Sequence, residues 1–273
     1  MAMKPGQYNG LFKAPLNQIS AYWLGFIAAD GSIGRYPSPV FSFGLKIDDA
    51  PCVRQLASDV GFPDRVVERA KHATASLRLS CKELVLDLES HGLVPRKARA
   101  LDGSIIPRKH VRDFIRGLFD GDGTVGLAKP TSRDAMKPVF GIYGNPPLMK
   151  SIASVLRRCG DIGEWIRPST GVMQIQTGNR TTIKNLYGEL YGHMPQRFLD
   201  RKRISFLEAI NYRSAEHNII RDENGRRLEY IHCFRCGRGA WKRSDQIRRH
   251  KRNFCSRKCA GVCLAEERSF YAY

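Results

Sequence analysis

Two short segments of the chain read alike: Trp23-Leu-Gly-Phe-Ile-Ala-Ala-Asp30-Gly31 and Ile115-Arg-Gly-Leu-Phe-Asp-Gly-Asp122-Gly123. Each closes an apolar stretch on Asp-Gly. Each also carries small residues four apart, Gly25 and Ala29 in the first, Gly117 and Gly121 in the second. Residues four apart share a helix face, and small side chains on that face let two backbones approach closely. The pair predicts two helices packed through their small faces, bringing Asp30 and Asp122 side by side. Two carboxylates so placed are suited to holding a hard divalent cation. One segment alone would be a weak signal, because Asp-Gly is also a common helix stop.

The sequence around the two segments is itself repeated. After Asp30 comes a strand-like run at residues 40–47, an amphipathic segment at 48–61, and a run at 66–79 that alternates near its end. From Lys82 onward, Leu84, Val85, Leu88 and His91 recur at helical spacing. The same order returns after Asp122. Residues 139–143 echo 43–46, residues 147–153 echo 51–57, and 172–176 take the place of 76–80. Ile183, Leu186, Tyr187 and Leu190 then mark the next amphipathic helix. The repeat predicts an α+β fold of two pseudo-symmetric αββαββα units, each an antiparallel sheet with helices on one face. The first unit spans 1–105 and the second 106–216, with a small module at 217–273. An antiparallel sheet of this kind can leave its other face open to a partner.

Charge indicates what that partner is. The 273 residues carry 45 Lys and Arg against 26 Asp and Glu, a formal charge of +19. Such an excess points to a polyanion, because neutralising phosphates releases condensed counterions; solubility alone is the weaker explanation. At 42% hydrophobic the chain can bury a sizeable core and is no disordered basic tail. No apolar run reaches the roughly 18 residues of a membrane span, and residues 1–13 lack the apolar stretch of a signal peptide. An intracellular protein is therefore expected, with its eight cysteines reduced or metal-bound. Around the first set of strands sit Arg35, Lys46, Arg65, Arg69, Lys71, Arg78 and Lys82. Around the second sit Lys129, Arg133, Lys137, Arg167, Gln174, Gln176, Asn179 and Arg180. Arg and Lys commonly read guanine, Asn and Gln adenine, and a β-ribbon fits the major groove of DNA.

The doubled motif, its spacing and the repeated element order resemble the LAGLIDADG homing endonucleases in their single-chain, two-motif form. Leu93-Val-Pro-Arg-Lys97, Ile106-Pro107 and the run from Phe114 to Gly123 add to the resemblance, which covers roughly residues 15–212. The sequence departs from the pattern at Ala28, where an acidic residue is frequent, and at Arg116, where a small one is. The resemblance implies cleavage of double-stranded DNA at a long, nearly asymmetric site by a monomer. Asp30 and Asp122, with Ala29 and Gly121 beside them, would form a site for divalent metal, most simply Mg²⁺, at the pseudo-dyad. Physical chemistry agrees: a carboxylate at a helix C-terminus meets the unfavourable end of the dipole, two close together repel, and a dication with oxygen ligands relieves both. Family members also keep a basic or polar group near the scissile phosphates, and repeat position nominates Lys82 and Arg180, then Lys46.

The repeat stops near residue 217. Residues 221–227 read as a polar turn or linker, followed by Cys233-Phe-Arg-Cys236 and then Cys255-Ser-Arg-Lys-Cys259. A C-x2-C paired with a C-x3-C suits tetrahedral Zn²⁺, which would supply folding energy to a segment with few apolar residues. His250 or Cys263 could replace one ligand, and disulfides are the alternative. Cys52, Cys81 and Cys159, isolated in the repeats, read as buried small hydrophobes. Between the cysteine pairs, Lys242, Arg243, Arg248 and Arg249 give a basic finger expected to touch DNA beside the cleavage site, with a protein-binding role as the alternative.

The competing function is a non-cleaving binder on the same fold, an RNA maturase or a transcription regulator. Loss of one Asp would mark it, and both are present. An intein is disfavoured, since Met1 is no splice nucleophile and His217-Asn218 is followed by Ile219. A free-standing or intron-encoded protein is the expectation.

Overall fold

The first motif helix, α1 (Gln18–Asp30), buries every residue from Ser20 to Ala28. A helix covered on all sides belongs inside a core rather than on its surface. Asn17 starts it with a capping box: its side chain accepts the Ser20 N–H at 2.9 Å, and Ser20 Oγ accepts the Asn17 N–H at 2.8 Å. Tyr22, Trp23 and Phe26 then build an aromatic cluster with Phe43, with ring centroids 4.9 to 6.4 Å apart.

The computed structural model describes residues 7–35, 38–95, 100–128, 136–193, 195–212, 220–249 and 252–270. After α1 come β1 (Gly31–Gly34), β2 (Val40–Lys46), α2 (Ala50–Asp59), β3 (Val66–Arg69), β4 (Thr74–Leu79) and α3 (Lys82–Ser90). The second series is α4 (Val111–Asp122), β5 (Gly123–Ala128), β6 (Lys137–Gly144), α5 (Pro146–Leu156), β7 (Gly163–Ile166), β8 (Met173–Thr177) and α6 (Arg180–Tyr191). The two four-stranded sheets have the same order, β1-β2-β4-β3 and β5-β6-β8-β7. The expected αββαββα repeat is thus observed twice. Prolines open α2 and α5, at a helix position whose N–H has no partner to lose. Beyond the repeats lie α7 (Asp200–Asn211), a three-stranded sheet of β9 (Ile220–Arg221), β10 (Arg227–His232) and β11 (Gly239–Arg243), then α8 (Ser244–Arg248) and α9 (Arg257–Phe270).

The chain divides into two compact units. The first comprises Met1–Thr124, Gly141–Gln176 and Gln196–Leu199. It contains both motif helices, the whole first sheet, and β7 with most of β8. In the first sheet Phe41, Phe43, Ala75, Leu77 and Leu79 are buried, alternating with more open residues, so one face packs on the core. Arg197 ties its short segment down with two bonds to Asp59, 2.6 and 2.8 Å, and Asp59 also accepts the Trp23 indole N–H at 2.7 Å. The second unit comprises Val125–Phe140, Thr177–Pro195 and Asp200–Tyr273. Its core is aromatic: Phe206 lies against Phe140, Tyr187 and Tyr191, with centroids 5.6 to 5.9 Å away. Among the described residues no helix is long and apolar enough to cross a membrane.

Candidate metal centre and nucleic-acid interface

The small residues of the two motifs do what their spacing predicts. A Cβ at Gly25 would collide with the Phe114 carbonyl oxygen, and one at Gly117 with the Tyr22 carbonyl oxygen. Backbone meets backbone at both points, so nothing can move aside. Nearer the C-termini, a Cβ on Gly121 would strike Ala29 and would stand 2.9 Å from Asp30 Oδ2. The Asp30 carboxylate therefore lies against the last turn of α4, one residue from Asp122. Both aspartates are exposed. Each is the last residue of its helix, and each is followed by a glycine in extended conformation, Gly31 at φ −77° and Gly123 at φ −85°. These glycines are needed for space and not for a left-handed turn: a Cβ would run into Ile27 at the first and Phe119 at the second. A strand starts at once in both cases. The donors so gathered are oxygens: two carboxylates, and the carbonyls that are all Ala29 and Gly121 can offer. Such a set fits a hard dication.

Sequence reasoning missed the acid two residues upstream in the second motif. Asp120 is fully buried, and its Oδ2 accepts the Tyr22 hydroxyl at 2.9 Å and the Leu199 N–H at 2.8 Å. The signal was visible as the mismatch of Asp120 with Ala28. Arg116, the other departure, is also buried. It donates to the Arg197 carbonyl at 2.9 Å and to Asp113 at 2.6 Å, with its guanidinium 5.4 Å from the Tyr22 ring centre.

Antiparallel register places the basic candidates. Residues paired across strands project from the same face. On the first sheet Ser42 pairs with Arg78, Gly44 with Ser76, and Lys46 with Thr74, while Val67 and Arg69 lie opposite Ser76 and Thr74. Lys46, Arg69 and Arg78 therefore share the face away from the core, and among the described residues none has an ion-pair partner. Lys71 sits in the turn joining β3 to β4. Lys82 and Arg180 take matching places as the first residues of α3 and α6. On the second sheet Gln174 and Gln176 lie opposite Trp165 and Gly163. Arg167 follows β7 at the hairpin turn, and Lys137 opens β6. Arg35 bonds Glu89 of α3 at 2.8 and 3.1 Å while its side chain stays largely exposed. Lys129, Arg133 and His250 lie outside the described residues, as does the side chain of Arg248.

The C-terminal cysteines converge. Cys233 and Cys236 flank a tight turn after β10, closed by the Gly237 N–H on the Cys233 carbonyl; Cys255 and Cys259 lie before and within the first turn of α9. The four sulfurs lie within 4.8 Å of one another, with Cys236–Cys255 and Cys255–Cys259 at 3.6 Å and Cys259–Cys236 at 3.8 Å. Sulfurs about 2.3 Å from a tetrahedral zinc stand roughly 3.8 Å apart, so the cage has the size of a zinc site. Among the described residues no cysteine is in a disulfide, and these separations are far from the ~2.05 Å of one. Burial opposes ionisation of Cys236, yet hydrogen bonds from Arg238 and neighbouring thiols bring its pKa down to about 6. Burial and the bonds with Cys259 and Cys236 push Cys255 up to about 12. Cys263 is buried on α9 outside the cluster. Cys159 is buried as expected, but Cys52 and Cys81 are only half-buried, and the Cys81 thiol reaches the Glu83 carboxylate at 3.5 Å.

A tie that sequence gave no sign of fixes this module in its unit. The buried Arg203 of α7 donates to the Phe234 carbonyl and, at 2.6 Å, to that of Arg235, both between the first two cysteines. Asn211 accepts the His232 N–H at 3.0 Å, and Tyr187 lies 3.0 Å from where a Gly237 Cβ would be. In the basic stretch, Arg243 is paired with Asp245 at 2.7 and 3.0 Å, Lys242 is half-buried and Arg249 is exposed.

Solved structures share this architecture. A point mutant of I-SmaMI matches with a TM-score of 0.52 at 14% identity, over 69% of this chain and 88% of that one. The meganuclease I-SmaMI bound to uncleaveable DNA matches at 0.50 and 15% identity, over 70% and 89%. The I-LtrWI LAGLIDADG homing endonuclease bound to target DNA aligns at 0.49 and 13%, over 67% and 86%. No protein-family model and no curated protein matches the sequence. The likeness to I-SmaMI is one of fold: the chain shares its α+β architecture with antiparallel sheets.

Proposed function

We propose that this chain is a site-specific endonuclease acting on double-stranded DNA. The observation that supports this best is the glycine-to-backbone crossing of α1 and α4, which ends both helices on an exposed aspartate with the same exit into a strand. In this reading Asp30 and Asp122 hold divalent metal, Mg²⁺ in the cell, with the main-chain carbonyls of Ala29 and Gly121 as further oxygen donors. The bound ion would activate water and stabilise charge on the phosphodiester. The chain itself grips and orients the duplex: Lys46, Arg69 and Arg78 meet its phosphates and bases from one sheet, Gln174 and Gln176 from the other. Lys82, Arg180 and Lys46 are the candidates for balancing charge at the scissile phosphates. The organisation is two repeats, 1–105 and 106–216, that act together as a monomer, and the module at 217–273. In that module Cys233, Cys236, Cys255 and Cys259 hold a structural Zn²⁺, and Lys242, Arg243, Arg248 and Arg249 add contacts to flanking DNA. An intracellular setting suits thiolate ligands.

Selection from a genomic or randomised duplex library for Mg²⁺-dependent cleavage tests this directly. Recovery of a long, asymmetric cut site is expected; a protein that retains duplex but cuts nothing at any Mg²⁺ concentration is a binder instead. Metal analysis of the purified chain should give about one zinc per molecule, and finding none removes the zinc module.

A further inference from the structure

The two sheets offer DNA different chemistry. On the open face of the first, every charged residue in the paired rows is a cation: Arg78 beside Ser42, and Lys46 beside Thr74 and Arg69. The one acid of β3, Glu68, pairs with the buried Ala75 and so lies on the other face, where it binds Arg54. On the second sheet, Met173 and Ile175 are buried while Gln174 and Gln176 alternate with them. Trp165, about half exposed at 46%, lies opposite Gln174 on the same face. Glu164 again falls on the other face and binds Arg157. Both sheets have therefore cleared acid from this face; the first carries cations along its paired rows, whereas the second carries glutamines and an indole there, with Arg167 just beyond the end of β7.

The glutamines are also held in a fixed relation. Gln174 Nε2 donates to Gln176 Oε1 at 2.8 Å and to the Tyr143 hydroxyl at 3.1 Å. With those donors engaged, the pair offers one acceptor, Gln174 Oε1, and one amino group, Gln176 Nε2. Adenine's major-groove edge asks for that combination, because it presents the N6 amino group as donor and N7 as acceptor. Guanine presents two acceptors, which suit Arg and Lys, groups that only donate. The thymine methyl is the base feature that an exposed indole can cover.

Resting on the endonuclease reading, we propose that the two halves of the target are read by different codes. Arg78 and Arg69 select guanine-bearing pairs in one half. Gln174, Gln176 and Trp165 select A·T pairs in the other. The deciding experiment is retention of randomised double-stranded oligonucleotides by the full-length, zinc-loaded protein without Mg²⁺, followed by sequencing. The expected consensus has one arm with guanine positions and one arm with A·T positions. Arg78→Gln should relax guanine positions in the first arm alone, by about tenfold at the contacted base. Gln174→Ala and Gln176→Ala should relax only the A·T arm by a similar factor, and Gln176→Arg should bring guanine into it. Two arms of the same base preference, or glutamine variants that change the guanine arm, overturn the assignment while leaving the endonuclease reading standing. A protein that retains no duplex overturns the endonuclease reading and the assignment with it.

Discussion

α1 and α4 end alike but differ two residues earlier. Ala28 of the first helix is a buried residue with no acid to offer, whereas Asp120 of the second is a buried acid gripping the Tyr22 hydroxyl and the Leu199 N–H. The comparison separates two uses of a carboxylate within one repeated motif. Where the halves agree, at Asp30 and Asp122, the acids are exposed and each is the last residue of its helix, the position proposed above for metal. Where they disagree, the acid is buried and holds the Gln196–Leu199 segment against the helix pair. An acid inside a motif is thus no sign of chemistry by itself.

The largest effect should come from breaking the agreement. Asp30→Asn and Asp122→Asn should each slow double-strand cleavage about a thousandfold or more, with duplex retention unchanged; a plasmid-cutting assay that finds one variant fully active shows the two ends are not equivalent. Gly117→Ala comes next. Its methyl group would run into the Tyr22 carbonyl and the Phe26 main-chain nitrogen, so thermal unfolding should show a loss of about 3 kcal/mol. Asp120→Ala orphans two donors and should cost about 2 kcal/mol of stability, while the cutting rate per folded molecule holds. Loss of cutting as severe as with Asp30→Asn would erase the distinction between the two acids. Arg203→Ala should release zinc to a chelator faster and destabilise the second unit by about 1 to 2 kcal/mol, read by metal release and unfolding together. The smallest effect is a gain. Gly188 of α6 has open space around it, so Gly188→Ala should stabilise by about 0.5 to 1 kcal/mol, the opposite sign to Gly117→Ala.

The motif helices were legible because their information is local: small residues four apart and an aspartate at the end lie within a few turns. The element order was legible because it occurs twice. The cysteine cage followed from spacing that zinc geometry permits. What escaped the sequence is long-range. Arg197 and Asp59 are 138 residues apart in the chain, and no periodicity links them. Arg35 reads as a free cation until Glu89 is found beside it. The ties of Arg203 to two main-chain carbonyls leave no trace in residue type at the receiving end. Strand register was the other missing quantity, since it decides which of many basic residues share a face.

The extended conformation of Gly31 and Gly123 has a mechanical meaning. No loop separates the end of either motif helix from the strand after it, so each aspartate occupies the joint between a core rod and a sheet. If the chain is the endonuclease proposed, strain placed on either sheet by an ill-fitting duplex reaches the carboxylate across a single peptide bond, with no slack to absorb it. A target mismatch should then be felt as lost turnover as well as lost grip, and the fidelity of cutting should exceed the fidelity of binding.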